Sequence, residues 1–379
     1  MTRFVPPALP DFPWDSLLPF KRRASEHPDG LVDLSVGTPV DPTPAVVQGA
    51  LRAASDSPGY PLTVGTPALR EAIVQWFARR RGVPGLPVEG VLPTIGSKEL
   101  VAWLPTILGL GPGDIVGIPE IAYPTYDVGA RLARATPQVV SGLTSLGPLT
   151  PSTTPKLLWL NSPGNPTGAV LPVEHLAKVV AWARRHGVVV ASDECYAELD
   201  WRRPDPQRLG PRHTTPSILD PEVYGGSHEG LLAVYSLSKQ SNLAGYRAAF
   251  VAGDPALISA IVEVRRHAGM MLPGPVQAAM VAALGDDEHV AGQKLRYGVR
   301  REALAAAVEA AGFRIDASEA GLYLWITRDE DCWDTVAHFA DRGILVAPGA
   351  FYGEAGRHHV RVALTATDER IEAAVRRLG

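Results

Sequence analysis

The chain has 379 residues, a formal net charge of −4 and a pI near 6.2, with 46% hydrophobic and 20% charged residues. That length can bury a sizeable core without disulfides or metal staples, and the acid excess argues against a nucleic-acid surface. The 37 glycines and 35 prolines exceed the roughly 7% and 5% of average usage, which points to many loops rather than to disorder.

At the start, Met1-Thr2-Arg3-Phe4-Val5-Pro6-Pro7 has no apolar run behind it, so no secretory leader is expected. The proline-rich opening through Pro44 reads as an extended arm. Ala68 to Phe77 carries apolar residues at i, i+4 and i+8, a helix pattern. Gly96-Ser97-Lys98-Glu99 opens a second helical run, whose charge-free stretch Leu100–Gly113 is too short to span a bilayer. Gly109, Gly111 and Gly113 follow that helix rather than a strand, so they predict a turn and not a dinucleotide loop.

Short apolar runs then alternate with helices. Ile115–Ile118, Leu157–Leu160, Val188–Ala191 and Leu231–Tyr235 have the composition of parallel strands buried on both faces. Val173 to Arg185 reads as a helix stopped at Gly187. Beyond it, Leu295–Ala311 is a long Ala-rich helix, followed by the short strands Leu322–Trp325 and His359–Val362. The pattern predicts an α/β fold with a mixed, mostly parallel sheet flanked by helices, plus a smaller α+β domain. The expected large domain spans 45–270, and the small one joins 1–44 to 271–379. Cys195 and Cys332 cannot build a disulfide framework, which fits a reducing, cytoplasmic setting, and neither they nor His358-His359 have metal-ligand spacing.

Ligands of open parallel sheets bind beyond the carboxyl ends of the strands. Three strand ends here run into Asn161-Ser162-Pro163-Gly164-Asn165-Pro166-Thr167-Gly168, Ser192-Asp193-Glu194-Cys195-Tyr196 and Ser236-Leu237-Ser238-Lys239. Taken singly, these are turn, cap and loop chemistry. Together at one rim, the lysine, carboxylate, phenol, amide and hydroxyls suit pyridoxal phosphate. The lysine forms a Schiff base, the carboxylate faces the pyridine nitrogen, and the hydroxyls join a helix N-terminus and an arginine around the phosphate. Gly96-Ser97 supplies the helix start and Arg247, in Asn242-Leu243-Ala244-Gly245-Tyr246-Arg247, the arginine.

On these motifs the chain resembles a class I/II aminotransferase of the fold-type I pyridoxal phosphate enzymes over nearly its whole length. The resemblance implies Lys239 as the Schiff-base lysine and proton shuttle, Asp193 on the pyridine nitrogen, and Asn165 and Tyr196 on the ring's phenolate oxygen. It implies Tyr123 stacked on the ring and Ser97, Lys98, Ser236, Ser238 and Arg247 around the phosphate. Tyr60, before Gly65, is similar to the tyrosine that reaches the phosphate of a neighbouring subunit, which implies a homodimer with sites at its interface. Gly37 and Arg361 match the groups that receive the substrate α-carboxylate.

The blocks Phe12-Pro13-Trp14-Asp15, Leu34-Ser35-Val36-Gly37-Thr38-Pro39, Gly96-Ser97-Lys98-Glu99, His267-Ala268-Gly269-Met270-Met271 and Arg361-Val362-Ala363-Leu364-Thr365-Ala366 are similar to bacterial N-succinyldiaminopimelate aminotransferases. That subgroup implies glutamate/2-oxoglutarate and a succinylated keto-diacid as substrates, in lysine and diaminopimelate biosynthesis. Arg265-Arg266 read as an exposed helix face, with recognition of the substrate's distal carboxylates as the alternative. A pyridoxal phosphate C–S lyase would use the same lysine, aspartate and phosphate cup. A transcription factor carrying an aminotransferase-like domain would need a DNA-binding module, for which the segment before Gly37 leaves no room. No metal, nucleic-acid or membrane partner is expected.

Overall fold

The computed structural model describes residues 9–147, 149–202 and 215–379. The Met1–Pro7 segment, expected to carry no leader, lies outside the described residues.

Seven strands form the central sheet: β1 (Val91–Ile95), β2 (Ile115–Pro119), β3 (Thr136–Val140), β4 (Leu157–Asn161), β5 (Val189–Asp193), β6 (Leu231–Ser236) and β7 (Ala248–Gly253). Their spatial order is β1-β7-β6-β5-β4-β2-β3. Strand β7 runs antiparallel to both neighbours and every other pairing is parallel. This is the mixed, mostly parallel sheet that the apolar runs predict. Strand β3 carries Pro137, which an edge position tolerates, and β7 opens on two alanines, which are poor strand formers. Neither was legible as a strand.

Both faces of the sheet are covered. Leu158, Leu160, Leu231, Ala233 and Tyr235 pack with Trp76, Phe77, Val180 and Met280 on one side. Leu157, Trp159, Leu232 and Val234 pack with Leu100, Leu104, Tyr126 and Ile261 on the other. Alternate residues of one strand thus enter different cores, which is why these strands read as unbroken apolar runs. The covering helices include Pro67–Arg81, Ser97–Ile107 and Val173–His186. Gly187 ends the last of them at φ 63°, the left-handed conformation that glycine adopts without steric cost.

A third core joins Leu17, Val32 and Leu34 to Leu304, Val308, Leu324, Phe339, Val362 and Ile371. It lies against a four-stranded antiparallel sheet that includes Tyr323–Thr327 and Val360–Ala363. The long helix starts at Asp287 rather than Leu295, because Asp286 caps it by accepting from the Glu288 and His289 amides. The proline-rich opening is not extended throughout. Leu18–Ser25 is helical, and Val32–Asp33 pairs in parallel with Ile344–Leu345. Among the described residues no helix is long and apolar enough to cross a membrane.

One buried ion pair ties the helix Pro67–Arg81 to the end of β5. Arg81 meets Glu194 at 3.1 Å, with both side chains essentially inaccessible. Burial pushes the Glu194 carboxyl up, and Arg81, the Ile218 amide and Ser217 hold it back. Removing one partner of such a pair leaves a buried charge uncompensated. Arg81→Met should therefore destabilise the protein by about 3 kcal/mol, whereas Arg81→Met with Glu194→Gln should recover most of the loss; thermal unfolding of both variants checks this.

Candidate active site

The parallel register places the first two site residues level with each other. Asn161 ends β4 directly opposite Asp193 at the end of β5. Next along the sheet, β6 ends at Ser236, whose hydroxyl accepts from the Ser238 amide and donates to Ser238 Oγ at 2.8 Å. The short turn of helix that follows carries Lys239, and its Nζ donates to the carbonyl of Gly37. These ends line a cavity of about 280 Å³.

Asp193 forms one wall. Its Oδ2 accepts from the Tyr126 hydroxyl at 2.9 Å and its Oδ1 from the Cys195 amide at 3.2 Å. Burial pushes its pKa up, and the hydrogen bonds from Cys195 and Tyr126 offset only part of that rise. No cation makes an ion pair with this carboxylate among the described residues. Cys195 also lines the cavity, and burial beside Asp193 raises its pKa well above the ordinary thiol value, the reverse of an activated nucleophile.

At another end lie Ser97, Lys98, Ser236, Ser238 and Arg247. Ser97 begins an eleven-residue helix whose first amides have no intrahelical partners. Gly96 precedes it at φ +78°, and a Cβ there would sit 2.0 Å from Arg247 Nη2, so only glycine lets the guanidinium lie against the helix start. Arg247 is held in place by donating to the Ala244 carbonyl at 2.8 Å. Lys98 Nζ lies 5.8 Å from the centre of the Tyr123 ring.

The remaining wall comes from the smaller sheet. Arg361 lies across from Trp325, on the same face as Tyr323, and its guanidinium sits 4.0 Å from the Tyr323 ring centre and 5.1 Å from that of Tyr352. Arg361 donates to Asn165 Oδ1 at 3.0 Å and to the Ser35 carbonyl at 2.6 Å. It is 2% exposed, and no carboxylate among the described residues pairs with it. Burial alone would lower its pKa, but the phenols of Tyr352, Tyr323 and Tyr196 outweigh this and raise it. Tyr323 and Tyr196 share a hydroxyl contact of 3.1 Å. Burial pushes the Tyr323 phenol up, and Arg361 and Lys239 bring it below its ordinary value. Gly37 is required here too, because a Cβ would meet Tyr323 Oη at 1.9 Å.

Of the residues predicted for the site, all but Tyr60 line this one cavity. Tyr60 is 95% exposed and outside it. The structure overturns the exposed-face reading for Arg265, bears it out for Arg266, and places neither in the lining of the cavity. Arg265 is fully buried and bound to Glu99 at 2.7 Å, so it is neither an exposed helix face nor a substrate contact. Arg266 pairs with Glu263 on the surface, away from the cavity. Gly109 and Gly113 lie in a turn at positive φ, as expected, and His359 binds Asp316 at 2.9 Å while stacking on Trp325. Among the described residues no cluster of His, Cys, Asp and Glu has the arrangement of a metal site. Trp14, Tyr126 and Tyr323 line the cavity without having been singled out. Tyr126 follows Tyr123 by three residues, in the first turn of the helix Thr125–Leu132, whereas Trp14 and Tyr323 arrive through tertiary contacts alone.

The family model for aminotransferase class I and II matches residues 29–378. The chain belongs to that family. It is 58% identical over 371 residues to the 4-dedimethylamino-4-oxo-anhydrotetracycline transaminase OxyQ of Streptomyces rimosus, covering 98% of this chain and 99% of that one. It is 59% identical over 374 residues to a probable aminotransferase of Mycobacterium tuberculosis, covering 99% and 86%. The solved structure of a probable N-succinyldiaminopimelate aminotransferase from Thermus thermophilus superposes with a TM-score of 0.82 at 29% identity, covering 97% of this chain and 99% of that one.

Aminotransferases of this family depend on pyridoxal phosphate, and the cavity fits it. Asp193 offers a carboxylate that a cationic ring nitrogen would keep ionised, and the hydroxyls, helix start and Arg247 suit a phosphate dianion. Gly96→Ala should displace Arg247 and weaken cofactor affinity by about tenfold, read by fluorescence titration; unchanged affinity would remove Arg247 from the phosphate end.

Proposed function

We propose that this aminotransferase moves an amino group from glutamate to N-succinyl-2-amino-6-oxopimelate, in the cytoplasm, as a step of lysine and diaminopimelate biosynthesis. The observation that carries the amino-acid reading is Arg361. A buried guanidinium with no carboxylate partner among the described residues, framed by Asn165 and Gly37, is a receptor for the α-carboxylate that both an amino acid and its keto acid possess. The succinylated acceptor is supported by the five sequence blocks named above and by the fold likeness to the Thermus protein. A second reading takes its support from the 58% identity to OxyQ, whose name gives a polycyclic ketone as acceptor.

Bound pyridoxal phosphate supplies an aldehyde that exchanges amines and a ring that accepts the electron pair released at the substrate Cα. The protein's part divides among its residues. Arg361 fixes the α-carboxylate, and Asn165, bonded to it, completes that end. Lys239 is the covalent anchor and, once free, moves the proton from Cα through Nζ. Its bond to the Gly37 carbonyl holds that amine beside the carboxylate site. Asp193, fixed by Tyr126 and the Cys195 amide, would face the ring nitrogen and favour its protonated form. Tyr196 and Asn165 would hold the phenolate oxygen, and Tyr123 would stack on the ring. We also propose that residues 45–270 form the large domain and that 1–44 and 271–379 form the small one, so that the cavity lies between them. Full exposure of Tyr60 supports a homodimer in which it reaches the partner's phosphate.

Lys239→Ala should lower turnover by about a thousandfold or more, followed as 2-oxoglutarate release; retained turnover would refute its role. Arg361→Gln should lower kcat/KM by about tenfold to a hundredfold for every α-carboxylate substrate. In an amino-acceptor panel with glutamate as donor, the succinylated keto-diacid should be strongly preferred over aromatic, branched and unmodified keto acids. Preference for a polycyclic ketone would favour the second reading.

A further inference from the structure

A second cavity, of about 580 Å³, opens beside the first and shares Trp14, Lys98 and Tyr123 with it. Much of its wall is apolar. The Trp14 ring lies 5.7 Å from that of Phe12 and 5.3 Å from that of Phe351, and Ile118, Ala122 and Val139 face the same space. Two residues of the lining, Trp14 and Tyr352, carry buried donors with no hydrogen-bond partner among the described residues, Nε1 and the hydroxyl. Burial pushes the Tyr352 phenol far up, so it stays a donor at neutral pH. Its ring packs near the Arg361 guanidinium, so the chamber begins where the carboxylate receptor ends.

An unpartnered buried donor is costly, and a ligand that brings an acceptor relieves the cost. The acidic side chains of the lining are placed differently. Asp11 and Glu120 are exposed at the mouth, and Asp127 is bound to Arg131 at 2.6 Å. The inner part therefore offers an apolar channel and hydrogen-bond donors, without a buried acid to repel an acceptor.

We propose that this chamber is the subsite for the distal arm of an elongated substrate, an aliphatic stem that carries an amide carbonyl onto Trp14 Nε1 and Tyr352 Oη. The proposal rests on the reading of Arg361 as the α-carboxylate receptor. Trp14, shared by both cavities, stands at the junction and sorts long side chains from short ones.

The test uses the pyridoxal phosphate-loaded enzyme and three amino donors: Nε-acetyl-L-lysine, L-norleucine, which has the same stem without the amide, and L-glutamate. Single-turnover spectra give the second-order rate constant of each half-reaction. Nε-acetyl-lysine should exceed norleucine by about tenfold or more. Tyr352→Phe should lower that ratio by about threefold to tenfold, as should Trp14→Phe, which keeps an aromatic ring and removes the donor. Val139→Trp, which fills the chamber from its far side, should lower the ratio as well. Equal rates for Nε-acetyl-lysine and norleucine, or variants that slow both alike while glutamate still reacts, overturn the chamber assignment. Failure of all three donors to react overturns the aminotransferase reading with it.

Discussion

A guanidinium buried without a carboxylate is the constraint on which this site depends. Arg361 is withdrawn from water, surrounded by the rings of Tyr323 and Tyr352, and among the described residues bonded to neutral oxygens of Asn165 and Ser35. The π faces and phenol oxygens make that burial tolerable without discharging the cation. An anion of the right shape then gains an interaction undiluted by solvent. Nearly every other part of the site is placed relative to this charge. Gly37 exists as glycine because Tyr323 occupies the space of a side chain there, and its carbonyl holds Lys239.

The two sheets meet at that point through the opening segment of the chain. Leu34 bonds to Leu345 and Ala363 through its backbone, and Thr365 donates to the Val36 carbonyl. Residues 34–37 thus run beside the smaller sheet, and Gly37 reaches Lys239 just past the end of β6. In the proposed function the large sheet would contribute the groups for the cofactor, and the smaller sheet and the opening segment would contribute the substrate receptor. Chemistry at Cα needs both, and Lys239 lies at the seam.

Much of this was legible in the chain itself. Parallel strands buried on both faces must be apolar along their whole length, so polar residues gather at their ends, where Asn165, Asp193, Ser236 and Lys239 stand in short local motifs. The central strands β4, β5 and β6 were legible for the same reason. What depends on tertiary contact was not. Tyr323 looks like any aromatic in a strand, and Trp14 sits in a proline-rich opening whose local pattern does not show where it packs. Arg265 and Arg266 are adjacent and chemically identical in sequence. Only the packing against Glu99 shows that one is buried structure and the other surface. Tyr60 lies outside the cavity and exposed to solvent, and no local pattern separates it from the residues that line the cavity.

The central claim is that the cofactor is anchored through Lys239, at the junction of the two sheets. Two lysines line the cavity, Lys98 at the helix start and Lys239 after β6, and they are chemically equivalent until the structure distinguishes them. Borohydride reduction of the pyridoxal phosphate-loaded enzyme followed by peptide mass mapping measures this directly. The retained cofactor mass is expected on Lys239, at one equivalent per chain, and prior incubation with glutamate should prevent its retention. Retention on Lys98, or no specific retention, would contradict the claim.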